Sequence, residues 1–152
     1  MFLFPSTGRI NRGFTLLEVM VVIVILGVLA SLVVPNLLGN KEKADRQKVV
    51  SDIIALENSL EMYRLDNGAY PSSLQGLSAL IRKPEGKPPA RHYRAGGYIR
   101  RLPQDPWGNA YQYRCPGKIN QVDIFSWGAD GQEGGEDIAA DIGNWNVQEY
   151  QK

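Results

Sequence analysis

With 152 residues and a formal net charge of +1, the chain as a whole is neither a polyanion binder nor an acidic tail, and it has room for one small domain. Its single cysteine, Cys115, forbids an intramolecular disulfide, and with His92 as the only histidine a zinc site built from Cys and His ligands is excluded. The bases are scattered among acids, which argues against nucleic acid; no Ser/His/Asp arrangement, phosphate-cradling glycine loop or sustained repeat is present, which argues against an enzyme.

The first predicted element is apolar. Phe14 to Val34 is a run of 21 residues with one charge, Glu18, in its first turn; Arg12-Gly13 precede it and Pro35 follows. As a helix, about 20 such residues span a hydrocarbon core of roughly 30 Å. A secretory signal has a shorter apolar region, ~7–15 residues, with its cleavage site after it. A plain anchor fits the length but gives no reason for Glu18, because a carboxylate in lipid is costly and needs a partner. Cleavage before the run, after Gly13, would supply that partner: the freed ammonium of Phe14 would lie about one helical turn from Glu18.

Pro35 and Gly39 predict a kink or a locally unwound stretch before the helix resumes. Val49, Ile53, Leu56, Leu60 and Tyr63 are then spaced 4, 3, 4 and 3, an apolar stripe on one helix face, and Asn67-Gly68 is the stop signal. Ser72 to Gln75 has capping-box spacing and opens a short helix through Leu77, Leu80 and Ile81. Residues 83–97, rich in Pro, Lys and Arg, read as an exposed loop with His92 a solvated member. Ala110 to Arg114 and Gln121 to Ser126 alternate as strands, joined by a turn at Pro116-Gly117 beside a partly buried Cys115. The fold class is α+β: a long N-terminal helix packed on a small antiparallel sheet.

Charge is unevenly distributed. Residues 1–118 hold 16 Lys+Arg against 9 Asp+Glu, whereas 119–151 hold 7 acids and no base, which suits head-to-tail association or a cation site near the C-terminus. Gly128 to Asp141 gathers Asp130, Glu133, Glu136, Asp137 and Asp141. By composition alone a solvated acidic loop and a cation site stand even. Asp130 and Asp141 occupy positions 1 and 12 of a twelve-residue loop with Gly135 at position 6, as in an EF-hand, but Gln132 and Gly134 at positions 3 and 5 rule an EF-hand out. A hard cation would offset both the self-repulsion of such a loop and the entropy of ordering it.

Gly13-Phe14-Thr15-Leu16-Leu17-Glu18 resembles the type IV prepilin motif. Downstream, Asp66-Asn67-Gly68-Ala69-Tyr70-Pro71, Leu102-Pro103-Gln104-Asp105-Pro106-Trp107-Gly108, Gly128-Ala129-Asp130-Gly131 and Asp141-Ile142-Gly143-Asn144-Trp145 resemble the major pseudopilins of type II secretion systems, within the type IV pilin superfamily. The resemblance runs from Gly13 to Trp145 and implies a leader, residues 1–13, removed by prepilin peptidase between Gly13 and Phe14, with N-methylation of Phe14. It implies a transmembrane and assembly helix at 14–35, its amphipathic continuation at 36–67, and a periplasmic globular domain at 68–152 with a calcium-binding loop. In that loop Asp130 and Asp141 match the family pattern best, Asp137 is the third carboxylate with Glu136 its alternative, and the carbonyls of Trp127 and Gln132 contribute.

The function implied is structural: the major subunit of a periplasmic pseudopilus, a helical homopolymer whose growth drives export of folded proteins across the outer membrane. Minor pseudopilins, an inner-membrane assembly platform and inner-membrane lipid are the further partners implied, and Glu18 steers assembly by meeting a neighbour's Phe14 ammonium. Glu57 and Glu61, with Arg100-Arg101, offer a bridge between copies against the plainer reading of solvated charge. Arg9 and Arg12 before the apolar run, against Lys41, Lys43, Arg46 and Lys48 after it, would by charge counting put the C-terminal side in the cytoplasm. The resemblance puts it in the periplasm, as a leader facing a cytoplasmic-side peptidase requires. Two rivals remain: a type IV pilin, many of which close a C-terminal disulfide loop that one cysteine cannot form, and an anchored periplasmic binding module that keeps residues 1–13.

Overall fold

The computed structural model describes residues 13–151, with the side chains of 32–38 excepted, and divides the chain into two units, residues 1–40 and 41–152. Helix α1 (Leu16–Asn67) runs for 52 residues. In the first unit Thr15 caps it: Val19 N donates to Thr15 O and Glu18 N to Thr15 Oγ1, each at 3.2 Å. A threonine hydroxyl taking an amide in the first turn satisfies one of the donors that a helix start leaves open. From Phe14 to Leu29 every large apolar side chain is exposed. Among the described residues no helix is long and apolar enough to cross a membrane. The backbone stays helical through Pro35 and Gly39, so the locally unwound stretch that the sequence offers there does not form; the side chains of 32–38 fall outside the description, and leader residues 1–12 lie outside the described residues altogether.

The second unit is built on the predicted stripe. Val49, Ile53, Leu56, Leu60 and Tyr63 are each no more than 1% exposed. They pack with Leu77, Leu80, Ala90, Tyr111, Ile124, Ile142 and Val147 in one core. The sheet has three strands, β1 (Gln112–Arg114), β2 (Asp123–Ser126) and β3 (Ile142–Gly143), antiparallel and in that spatial order. Tyr113 lies opposite Ile124, and Phe125 opposite Gly143. Central β2 is buried along its whole length. Both predicted strands are present but shorter than expected, and β3 carries too few residues for any alternation to announce it.

Side chains, more than backbone ladders, close the connections. Asp123 is 1% exposed and gathers the β1–β2 turn: its Oδ2 accepts the amides of Lys118 (2.5 Å) and Ile119 (3.2 Å), its Oδ1 that of Asn120 (2.9 Å). The capping box at 72–75 forms reciprocally, Ser72 N to Gln75 Oε1 at 2.9 Å and Gln75 N to Ser72 Oγ at 3.3 Å. The predicted helix after it is only a 3-10 turn, Leu77–Leu80, because Gly76 at φ +59 breaks the α geometry between the two.

Residues 83–97 form the exposed loop that composition predicts, and side chains pin it in place. Gln75 Nε2 holds the carbonyls of Glu85 and Pro88 at 3.0 Å each, and Ala90 is buried. Arg94 grips Asp66 through Nε at 2.5 Å and Nη2 at 3.3 Å, Tyr98 Oη donates to the same carboxylate at 3.1 Å, and His92 N donates to Asn67 Oδ1 at 3.1 Å. Tyr63, Tyr93 and Tyr98 meet at ring-centroid distances of 5.3 to 6.2 Å. A chain with few strands is thus pinned by side chains to the end of α1. The His92 side chain itself is exposed, as expected.

Candidate functional site

Two stations carry the predicted functional residues, one in each unit. At the first, Gly13 and Phe14 precede α1 and are exposed, as a peptide bond to be cut must be. Glu18 is exposed in the first helical turn, three residues after its cap. Thr15-Leu16-Leu17-Glu18 has capping-box spacing. Glu18 therefore has a second physical reason to be where it is, since a carboxylate at a helix N-terminus is favoured by the aligned peptide dipoles. Reading Glu18 by its charge in lipid alone passes over this; a threonine three residues before a glutamate at the head of an apolar run was the signal.

The second station is the acidic loop. Asp130 is exposed and its Oδ1 accepts the Gln132 amide at 3.1 Å, which turns the chain at the loop's tip. Asp137 is exposed, opens a 3-10 turn (Asp137–Ala139), and stands at φ +51, in the left-handed region that L residues seldom occupy. Asp141 is half-buried: Oδ2 accepts the Gly134 amide at 2.9 Å, while Oδ1 is buried without a hydrogen-bond partner among the described residues. Asn146 Nδ2 donates to the Asp141 carbonyl at 3.2 Å and fixes the loop's exit. Trp127 at the entry is half-buried, 6.0 Å from the Phe125 ring between centroids, and Phe125 stands 5.6 Å from Trp145. Gln132 is exposed, and Glu133 lies 3.9 Å from Arg114 Nη2.

Among the described residues no three His, Cys, Asp or Glu side chains converge into a metal-holding group. Asp130, Asp137 and Asp141 thus share a loop without meeting at one point. The donor chemistry nevertheless fits a hard cation: oxygen ligands only, glycines at positive φ along the loop, and a buried Asp141 Oδ1 that no donor among the described residues satisfies.

The two carboxylates considered for contacts between copies, Glu57 and Glu61, are engaged within the chain. Glu57 Oε1 accepts Asn144 Nδ2 at 2.9 Å. Glu61 takes the Arg64 guanidinium, with Nε at 3.1 Å, and the Tyr70 hydroxyl at 2.6 Å. The Arg64 hydrogen bond first, and that of Tyr70 second, hold the Glu61 carboxyl at about 2. Arg100 and Arg101 are exposed. Sequence reasoning missed Asn144, which ties α1 to the sheet by also donating to Val122 O (2.9 Å) and accepting Ile124 N (3.3 Å). It also missed Asp105 and Ser126, joined at 2.7 Å in the interior.

Known proteins divide the chain in a similar way. A family model described as Type II secretion system (T2SS), protein G matches residues 36–145, and one described as prokaryotic N-terminal methylation motif matches residues 8–34. A Vibrio cholerae protein named Type II secretion system core protein G is 67% identical over 143 residues, covering 94% of this chain and 97% of its own length. One of the same name from Klebsiella pneumoniae is 68% identical over 137 residues, covering 90% and 96%. The crystal structure of the major pseudopilin from the type 2 secretion system of enterohaemorrhagic Escherichia coli superposes with a TM-score of 0.66 at 61% identity, covering 75% of this chain and 97% of that one.

Proposed function

The chain belongs to the type II secretion system protein G family, and from that premise we propose that it is the major structural subunit of a periplasmic pseudopilus. It polymerises into a fibre with other components of the secretion system, and the growing fibre drives folded proteins across the outer membrane. The observation that carries this is the adjacency of the methylation motif at 8–34 to a protein G domain at 36–145. A fibre grows when one surface patch of a copy meets a different patch of the next and the contact never closes.

Cleavage between Gly13 and Phe14 would free the Phe14 ammonium beside Glu18, and transfer of a methyl group from a methyl donor would then methylate it. Before assembly, residues 14–35 sit in the inner membrane and the globular part in the periplasm; the apolarity of Phe14 to Val34 and the exposure of its described side chains support this. In the fibre those side chains pack against other copies, which replaces lipid contacts by protein contacts and lets Glu18 meet a neighbour's Phe14 ammonium. Prepilin peptidase, minor pseudopilins and an inner-membrane assembly platform are the partners this cycle requires.

The loop from Trp127 to Asp141 holds calcium through the carboxylates of Asp130, Asp137 and Asp141 and the carbonyls of Trp127 and Gln132. Calcium supplies positive charge where the loop has only acids, and the unpartnered Asp141 Oδ1 supports the reading. The test of the whole is intact-mass measurement on protein extracted from membranes. Loss of residues 1–13 together with gain of one methyl group is expected. A mass that still includes Met1 to Gly13 would end the proposal.

A further inference from the structure

One peptide unit in the loop is oriented from outside it. The unit joining Trp127 to Gly128 carries the Trp127 carbonyl, a donor in the calcium reading above, and the Gly128 amide. It is planar and trans, so its C=O and N–H point in opposite directions. Whatever holds the amide therefore aims the carbonyl. The Gly128 amide donates to Ser126 Oγ at 3.2 Å, and Ser126 Oγ donates its proton to Asp105 Oδ2 at 2.7 Å. A hydroxyl has a single proton; once Asp105 takes it, only lone pairs are left to face the Gly128 amide.

The anchor is itself rigid. Ser126 is fully buried and Asp105 is 4% exposed, so water does not compete for either. Asp105 Oδ1 accepts the amides of Trp107 at 3.1 Å and Asn109 at 2.7 Å. Gln104 beside it has its carbonyl held by Lys48 Nζ at 2.7 Å, and Lys48 stands on α1. At Gly128, φ is +67 and a Cβ would lie 2.5 Å from Ala139 O, so only glycine can follow this path into the loop.

We infer that Asp105 and Ser126 are positioning residues for the calcium loop, setting the direction of the Trp127 carbonyl through the Gly128 amide. The inference rests on the calcium reading but concerns residues that touch no calcium. Partners of this kind behind metal ligands typically change affinity by about 10- to 100-fold when removed.

Calcium titration calorimetry on the detergent-solubilised full chain, with melting curves in chelator, tests it. Ser126→Ala should weaken calcium binding about tenfold. Ser126→Thr keeps the hydroxyl but adds a methyl to a fully buried site, so it should melt lower in chelator while holding calcium within about threefold of the parent. Asp105→Asn keeps an acceptor for the two amides but presents an N–H to Ser126, and should weaken calcium as Ser126→Ala does; it carries the test if the threonine variant does not fold. Unchanged affinity in Ser126→Ala, or affinity that follows melting temperature instead of the hydroxyl, overturns the inference alone. No calcium binding by the parent protein overturns the calcium reading and the inference with it.

Discussion

Residues 14–29, which lead into α1 and open it, and residues 49–63 further along it treat their apolar side chains in opposite ways. In the first stretch each large one, from Phe14 to Leu29, is exposed; in the second, Val49, Ile53, Leu56, Leu60 and Tyr63 are buried against the sheet and the segments around it. The second stretch draws its stability from the domain it belongs to, at roughly 1.5–3 kcal/mol for each large side chain removed from water. The first has no core of its own among the described residues, and the proposed function has it covered by lipid before assembly and by other copies after it. Folding and assembly should therefore be separable along a single helix by where a substitution falls.

Glu18→Ala gives the largest expected effect. Fibres should disappear from cells while the denaturant midpoint of the globular part stays where it was. A Glu18→Ala strain with normal fibres would remove the carboxylate from assembly and leave it only as part of a helix start. Leu60→Ala is the converse. It opens a cavity in the core and should cost about 2–5 kcal/mol in urea unfolding, with leader removal at Gly13 unaffected by mass. If its midpoint hardly moves, the stripe is not what holds the globular part together.

The smallest effect lies in acid. The folded-state value for Glu61 is about 2, below its ordinary 4.5, through its hydrogen bonds from Arg64 and then Tyr70. A carboxyl lowered by folding contributes fully above its unfolded value and loses that contribution as pH falls through the folded one. The Glu61 share should thus be whole above about 4.5 and gone by about 2. Asp66, held low first by its hydrogen bond from Arg94, also loses its contribution as pH falls, so wild type alone cannot isolate Glu61. The difference in melting temperature between wild type and Arg64→Ala should shrink through that window; a constant difference would show that the pair does not titrate with folding.

Much of this architecture was legible because its signals are local. The stripe from Val49 to Tyr63 repeats with the helix, Asn67-Gly68 stops it with Gly68 at φ +83, and the 110–126 region alternates into two strands. Other features were not legible because their partners are distant in sequence. Asn144 reaches Glu57 across 87 positions, Arg94 reaches Asp66 across 28, and Asp105 reaches Ser126 across 21. In the candidate loop the acids could be named from the sequence. Nothing local distinguished Asp141, which has a buried oxygen without a donor, from the exposed Asp130 and Asp137.

Taken alone, the sequence determined the long helix, the kind of chain it heads, the N-terminal motif around Gly13-Phe14 and the span of the acidic loop, since each is written in adjacent residues as apolarity, period or charge. Tertiary structure decided which face of the helix is covered, how a proline-rich loop is held by Asp66, Asn67 and Gln75, and how Ser126 and Asp105 orient the loop's first peptide. Those depend on hydrogen bonds in the interior between residues far apart in the chain, where an unmet polar group is costly and geometry, not composition, selects the partner.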